Sequence, residues 1–290
     1  NAFRLVKGWT VAQQEQPAAN AAAVAWMQSR VQRATTELDG LYDQFRISEA
    51  LMTTYKLIWD DLCSWYLESI KPAFVDGVSQ PIDATTYEAT ISIFEDVLKL
   101  LHPYMPFLTE ELWHHLRERK EGEDIIVAAW PKGGNWDGLI ENEMAHAFEV
   151  VTAVRKLRNE RGLSPKEPLD LKVKEGLRLR DEVHLIMCKL ANLSGIDYVS
   201  KADPNAITFL VGTEEYSVLL DQAVDSTIEV GKLQSELEYL KGFLGAVERK
   251  LSNERFVNSA PAAVIENERQ KREDALRKVK ALEERLAVLK

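Results

Sequence analysis

Two cysteines in 290 residues, Cys63 and Cys188, are too few and too far apart for a disulfide framework, and neither sits in a metal-ligand spacing. Such a chain suits a reducing compartment, and a cytoplasmic location is expected. No stretch of about 18 apolar residues occurs, which excludes a membrane-spanning helix and a membrane partner of that kind. No secretory leader is read ahead of the first helix. A Ser/His/Asp set, paired catalytic carboxylates and a glycine-rich phosphate loop are also missing, so no active site and no small-molecule substrate are expected of these residues. His114 and His115 are adjacent, so on a helix they point about 100° apart and cannot make the i, i+4 pair of helical zinc sites. One is expected to pack and the other to be solvated, with no metal bound. His102, just before Pro103, reads as a turn or capping residue.

What is present is an ordinary globular composition, 46% hydrophobic and 28% charged, long enough for two or three domains. The net charge of −10 is unevenly placed. Residues 1–148 hold 12 basic and 22 acidic side chains, residues 149–220 hold 11 of each, and residues 221–290 hold 13 of each. Between Arg249 and Lys280 the balance turns positive, nine against five. Overall acidity therefore confines any contact with nucleic acid to particular places without excluding one.

The last seventy residues organise the chain. Val230, Leu233, Leu237, Leu240, Leu244, Val247 and Leu251 are spaced by alternating threes and fours, the seam of a coiled-coil helix. A break at 253–263 contains Asn253, Asn258, Ser259 and Pro261. The spacing then resumes through Ile265, Glu268, Arg272, Ala275, Val279, Leu282, Leu286 and Leu289. Two such legs predict an antiparallel helical hairpin, each leg roughly 40–45 Å long. A turn near Phe256–Asn258 sets Leu251 against Ile265, Leu240 against Ala275 and Leu276, Leu237 against Val279 and Leu233 against Leu282. The root of the hairpin is aliphatic, whereas Glu268 and Arg272 stand on seam positions towards the tip.

Before the hairpin, helical patterns are predicted over 18–38, 47–70, 84–101, 107–119 and 140–159. Ser48 and Asp83 are candidate N-caps, Pro72 a stop, and Gly162 the end of the last of these. Leu51, Tyr55, Ile58, Leu62, Trp65 and Tyr66 are expected on one apolar stripe, and Leu108, Leu112, Trp113 and Leu116 on another. Ile125–Val127 with Trp130 and Pro131 reads as extended. Past residue 160 the period shortens: a strand at Leu169–Val173, a helix over 179–193, and strands at 196–200, 206–211 and 216–220. The expected fold is mainly α: a helical bundle over 1–148, a small α+β unit over 149–220 and the coiled-coil arm over 221–290.

Several runs resemble one family. Arg46-Ile-Ser-Glu-Ala-Leu, Lys56-Leu-Ile-Trp-Asp-Asp, Trp65-Tyr-Leu-Glu and Leu101-His-Pro-Tyr-Met-Pro-Phe-Leu-Thr-Glu-Glu-Leu-Trp are similar to the anticodon-binding bundle of class I aminoacyl-tRNA synthetases. Val154-Arg-Lys-Leu-Arg-Asn-Glu-Arg-Gly-Leu-Ser-Pro, and the run from Lys250 through Arg255-Phe256 to Arg269, resemble bacterial valyl-tRNA synthetases. The bundle motifs alone leave the isoleucine and leucine enzymes open. The ATP-site signatures His-Ile-Gly-His and Lys-Met-Ser-Lys-Ser of that class are absent. With Asn1–Lys7 reading as the end of a helix already under way, the chain is expected to be a fragment of a valine-tRNA ligase, without cofactor, ATP belonging to the missing catalytic core. The resemblance implies that the bundle meets the anticodon of tRNA for valine, the α+β unit the adjoining stem, and the arm the elbow of the tRNA. A monomer is expected.

The residues that would carry these contacts each have a plainer reading. Arg249, Lys250, Arg255, Arg269, Lys271, Arg272 and Lys278 cluster towards the arm tip, where they either meet phosphate or form intrahelical ion pairs on a solvated coil. Phe256 either stacks on a base or plugs the turn. Arg155, Lys156, Arg158 and Arg161 complement the dipole at a helix C-terminus whatever else they do, and Lys166 follows them. Arg4, Lys7 and Trp9, and more weakly Arg46, are placed on the anticodon side by the resemblance. The rival from another class is a protein–protein scaffold in which the hairpin docks a partner.

Overall fold

The computed structural model describes residues 1–174, 178–219, 226–253 and 261–289, with backbone alone for 226–230, 232, 262, 284, 285 and 287–289. It divides into two compact units, one of residues 1–148 with 179–190, the other of residues 149–178 with 191–290. This differs from the three blocks expected: the helix near residue 185 joins the first unit, and the arm groups with the α+β residues.

In the first unit a short α1 (Ala2–Lys7) leads to α2 (Ala18–Asp43), which runs one turn past the predicted end because Leu38 and Leu41 continue its buried face. The helix predicted over 47–70 forms, but in three parts: α3 (Ile47–Lys56), a π-helical stretch (Leu57–Tyr66) and α4 (Leu67–Ile70). The Ser64 hydroxyl donates to the Trp59 carbonyl five residues back, in keeping with the widened i→i+5 turn. A wider turn rotates less per residue, so one apolar stripe cannot stay buried along the whole helix. Ala50, Thr54, Leu57, Leu62 and Tyr66 are buried, whereas Leu51 and Tyr55, expected inside, are exposed. Ser48 is not the cap either; Arg46 occupies that position and no side chain caps the helix.

Asp83 does cap α5 (Ala84–Leu101), accepting from the Thr86 amide at 2.7 Å. The 102–105 break holds, His102 Nδ1 sharing a 2.7 Å bond with the Thr109 hydroxyl, and α6 starts with Pro106 and ends at Leu116. Trp113 and Leu116 are buried but Leu108 is exposed. Residues 125–127 form a single 3₁₀ turn in place of an extended run. Short strand pairs lie outside what the sequence predicts: β1 (Val11–Ala12) lies parallel to β4 (Ile82–Asp83), and β2 (Phe74–Val75) pairs with β3 (Val78–Ser79) around Asp76 and Gly77, both in the left-handed region.

Much of the unit's cationic charge is internal. Glu141, near the start of α7 (Gly138–Arg161), is buried and accepts from Ser29 at 2.8 Å, Arg33 at 2.8 Å and Arg30 at 3.2 Å. Burial alone would push its carboxyl up, but these donors outweigh it and hold the group below the usual carboxylate range. α8 (Asp181–Ala191) also belongs here, and Lys189 sinks its ammonium between the carbonyls of Ser69 (2.6 Å) and Lys71 (2.7 Å) just past the end of α4.

The second unit is built on a four-stranded sheet in the order β6 (Leu193–Val199), β5 (Leu169–Lys174), β8 (Glu214–Val218), β7 (Ile207–Val211). β5 and β6 are parallel and the other pairs antiparallel. The division between the units falls within α7, whose last turn closes in a Schellman motif: the Leu163 amide reaches the Arg158 carbonyl, and Gly162 takes the left-handed conformation that favours glycine. The arm is the antiparallel pair α9 (Ser226–Leu251) and α10 (Ala262–Leu289). Leu233, Leu282 and Leu286 form its root cluster, with Leu237, Leu240 and Leu210 of edge strand β7 packed against them. The predicted Leu233–Leu282 register is therefore present, and Leu210 of the edge strand packs against the same leucines.

Candidate nucleic-acid interface

On the side the resemblance assigns to the anticodon, Arg4 and Lys7 are exposed in the last turn of α1, where cations complement the dipole, and Trp9 is half-buried just beyond. Arg46 is not available in the same way. Its guanidinium forks onto both oxygens of Glu49 and also donates to Gln44 at 3.1 Å, offsetting a cation placed unfavourably at a helix N-terminus.

The α7 cluster separates by residue. Arg155, Lys156 and Lys166 are exposed, and Arg161 is half-buried. Arg158 is a correction: it is 4% exposed, with Nη1 donating to the Ser164 carbonyl at 2.9 Å and Nη2 to the carbonyls of Ala191 (3.1 Å) and Asn192 (2.9 Å). Its two Nη atoms join the α7 terminus to other backbone segments and its Nε is buried without a partner, so the guanidinium faces inward and is not presented to phosphate. Burial lowers its pKa from the ordinary arginine value, with the Glu167 carboxylate acting against that. Dipole logic placed a cation here correctly and could not see the distant carbonyls. Lys156 and Arg161 line a cleft of about 290 Å³ whose other walls include Phe209 on β7 and Leu233 and Leu282 of the arm root.

In the arm, Lys271 donates to Glu268 at 2.8 Å, Lys250 approaches the same carboxylate at 3.7 Å, and Arg269 pairs with Glu266 at 3.6 Å. Arg249 turns back to the Gly245 carbonyl. Lys278 is half-buried and has no ion pair among the described residues. Glu268, expected on the seam, is only 6% exposed, and Lys271 foremost holds its carboxyl below the usual range. One of its oxygens has no hydrogen bond, and neither has the buried Nε of Arg272 one turn further along. The seam thus carries a polar layer between its aliphatic root and its tip. Arg255 and Phe256 lie outside the described residues.

His114 and His115 depart from the expected split, both being exposed. His115 contacts Glu111 at 3.0 Å, and His114 sits 3.1 Å from both Glu110 and Asp124. Those three side chains are the one grouping among the described residues with metal-ligand proximity, Glu110 half-buried and the other two exposed. Its signal in the sequence is the i, i+4 pair Glu110–His114, which the adjacent histidines obscure. No helix among the described residues is long and apolar enough to cross a membrane.

Residues 25–174 match the family described as the anticodon-binding domain of tRNA ligase, and residues 225–290 match the valyl tRNA synthetase tRNA binding arm. The whole chain is 43% identical to part of the valine–tRNA ligase of Christiangramia forsetii and 44% identical to part of that of Parabacteroides distasonis, covering 33% and 32% of those proteins. Against the valine–tRNA ligase of Geobacillus kaustophilus the identity is 34% over 91% of this chain and 31% of the relative. The chain thus spans about a third of the length of the curated relatives it matches. The chain therefore belongs to the anticodon-binding domain family of tRNA ligases, with residues 225–290 similar to the tRNA binding arm of valyl tRNA synthetase.

Proposed function

We propose that this chain is the tRNA-recognising third of a valine–tRNA ligase. It holds tRNA for valine while ATP-dependent ligation takes place in a catalytic core outside these residues, in the cytoplasm and as a monomer. The observation that carries the reading is that relatives named valine–tRNA ligase align over the entire chain, with the bundle and the arm each matching a family named for tRNA contact. In this reading Arg4, Lys7 and Trp9 face the anticodon. Arg155, Lys156, Arg161 and Lys166 face the adjoining stem. The arm cations from Arg249 to Lys278, with Arg255 and Phe256 at the turn, face the elbow. No cofactor or metal is needed for these contacts. Each is a backbone or stacking contact of modest strength, and their sum is set by effective concentration along one rigid RNA.

Fluorescence anisotropy with labelled tRNA tests this directly. The chain should bind tRNA for valine more tightly than tRNA for isoleucine. Removal of residues 221–290 should weaken binding and lower the salt slope by roughly 0.7–0.9 for each phosphate that is no longer neutralised. Equal affinity with and without the arm at every salt concentration, or an arm-dependent dimer in sedimentation without RNA, would favour the scaffold reading.

A further inference from the structure

α3 and the start of the π-helical stretch that follows it carry an exposed apolar face in the first unit. Ile47, Leu51, Tyr55 and Trp59 recur every four residues, all substantially exposed, and the Tyr55 and Trp59 rings lie nearly parallel at 8°. Phe45, 86% exposed, stands just before α3 in the chain, and Phe107, 91% exposed, stands at the start of α6, three residues past Tyr104. Tyr104 ties these neighbours together, bonding to the Tyr42 hydroxyl at 2.9 Å and to the Ile47 carbonyl at 3.3 Å. So continuous a face is unusual for a surface that meets only water.

The backbone gives a second, independent sign. Phe45 has φ +57° and occupies the left-handed position that closes α2: its amide reaches the Tyr42 carbonyl, and the Arg46 amide reaches the Leu41 carbonyl. Glycine fits that position without strain, and a bulky side chain does not. The chain thus accepts local strain to hold an aromatic ring in solvent, which is intelligible when the ring is covered in the functional protein.

We infer that this face is where the remaining polypeptide of a full-length ligase packs onto the bundle. The inference rests on the ligase reading, under which the chain is about a third of the whole. The occupant is polypeptide and not RNA because the face is poor in usable positive charge. Arg46 is engaged by Glu49, Asp60 flanks Trp59, and Lys56 is the one other cation along the stripe. Aliphatic Ile47 and Leu51 suit an apolar protein surface, whereas phosphate would find little to pair with.

Hydroxyl-radical footprinting read by mass spectrometry, without tRNA, tests this on the 290-residue chain and on the full-length ligase. Phe45, Tyr55, Trp59 and Phe107 should be oxidised rapidly in the chain alone. In the full-length protein their reactivity should fall to that of the buried Met27 and Tyr66. Equal reactivity in both, protection that needs tRNA, or protection of the chain alone that grows with its concentration would each overturn the proposal. Since tRNA is absent, failure of tRNA binding leaves the readout unaffected. Phe45→Gly supplies a second test that keeps the fold: it should raise the urea midpoint of the isolated chain, by relieving strain, and lower that of the full-length ligase. The same sign in both would refute the assignment.

Discussion

Replacing Arg158 distinguishes a structural cation from an RNA-binding one. Arg158→Ala removes three hydrogen bonds to main-chain carbonyls, of which the one to Ala191 is buried and those to Ser164 and Asn192 are partly reachable by water. A buried acceptor left without a partner costs about 1–3 kcal/mol, and the wetter pair less. Against that, the folded chain already bears the cost of desolvating the guanidinium, the cause of its lowered pKa, and truncation returns part of it. The balance is a loss of about 2–4 kcal/mol. Arg158→Lys should recover little, because one ammonium cannot span carbonyls from three directions. Exposed Lys156→Ala should change stability by no more than about 0.5 kcal/mol. Urea titration followed by circular dichroism reads these differences, and tRNA anisotropy against salt supplies the control. If Arg158→Ala left the urea midpoint unchanged and reduced the salt slope by about one, the side chain would be a phosphate contact and the structural account wrong.

Three further outcomes follow from the same structure. Leu282→Ala, which opens the root cluster of Leu233, Leu286 and Leu210, should cost about 2–4 kcal/mol and show first as reduced arm helicity; an unchanged melting curve would mean the root is not packed. Glu268→Leu should raise the thermal midpoint of the arm by replacing a buried carboxylate that has one unbonded oxygen, and a lowered midpoint would show that the polar layer holds the register. Burial pulls the Lys189 ammonium from 10.5 to about 8, so the folded chain binds fewer protons than the unfolded one between those values; stability should rise with pH across that window, and Lys189→Met should flatten the rise.

The sequence was legible where one local rule sufficed. Asp83 capped α5, Gly162 closed α7, and the heptad spacing placed both arm helices and the Leu233–Leu282 contact. It misled where a local rule met a distant partner or a change of helical period. Leu51 and Tyr55 sit on the stripe an α-helix would bury, but the π-helical stretch from Leu57 turns the later residues inward without them. Arg158 satisfies the dipole rule, yet its partners include carbonyls more than thirty residues away. The pairing of β1 with β4 joins two-residue strands with no periodicity to read, and it rests on a register between positions 11 and 82. β5 was found within a residue because buried Leu169, Leu171 and Val173 alternate with the more exposed Asp170 and Lys172.

Under the tRNA-recognition reading, the ion pairs also bear on where a bound tRNA would be gripped. Of the six arginines in residues 1–148, five are engaged by carboxylates: Arg30 and Arg33 by Glu141, Arg46 by Glu49, and Arg117 and Arg119 by Glu95. Arg4 is the exception among the described residues. A region with 22 acidic and 12 basic side chains that also uses its guanidinium groups internally presents a weak field to phosphate. At physiological salt that field is screened beyond about 8 Å. On that reading, recognition there comes from base faces and edges, with half-buried Trp9 the proposed stacking aromatic. Salt-sensitive affinity then has to come from the arm and from the exposed cations at the end of α7. The chain lacking residues 221–290, with Arg155, Lys156, Arg161 and Lys166 also replaced by alanine, should accordingly bind an anticodon stem-loop with a salt slope no steeper than about −2, the two phosphate contacts Arg4 and Lys7 could make, while full tRNA on the intact chain shows a much steeper one. A steep slope for the stem-loop on the truncated chain would mean that the internal pairs open on binding, and the division of labour argued from them would fail.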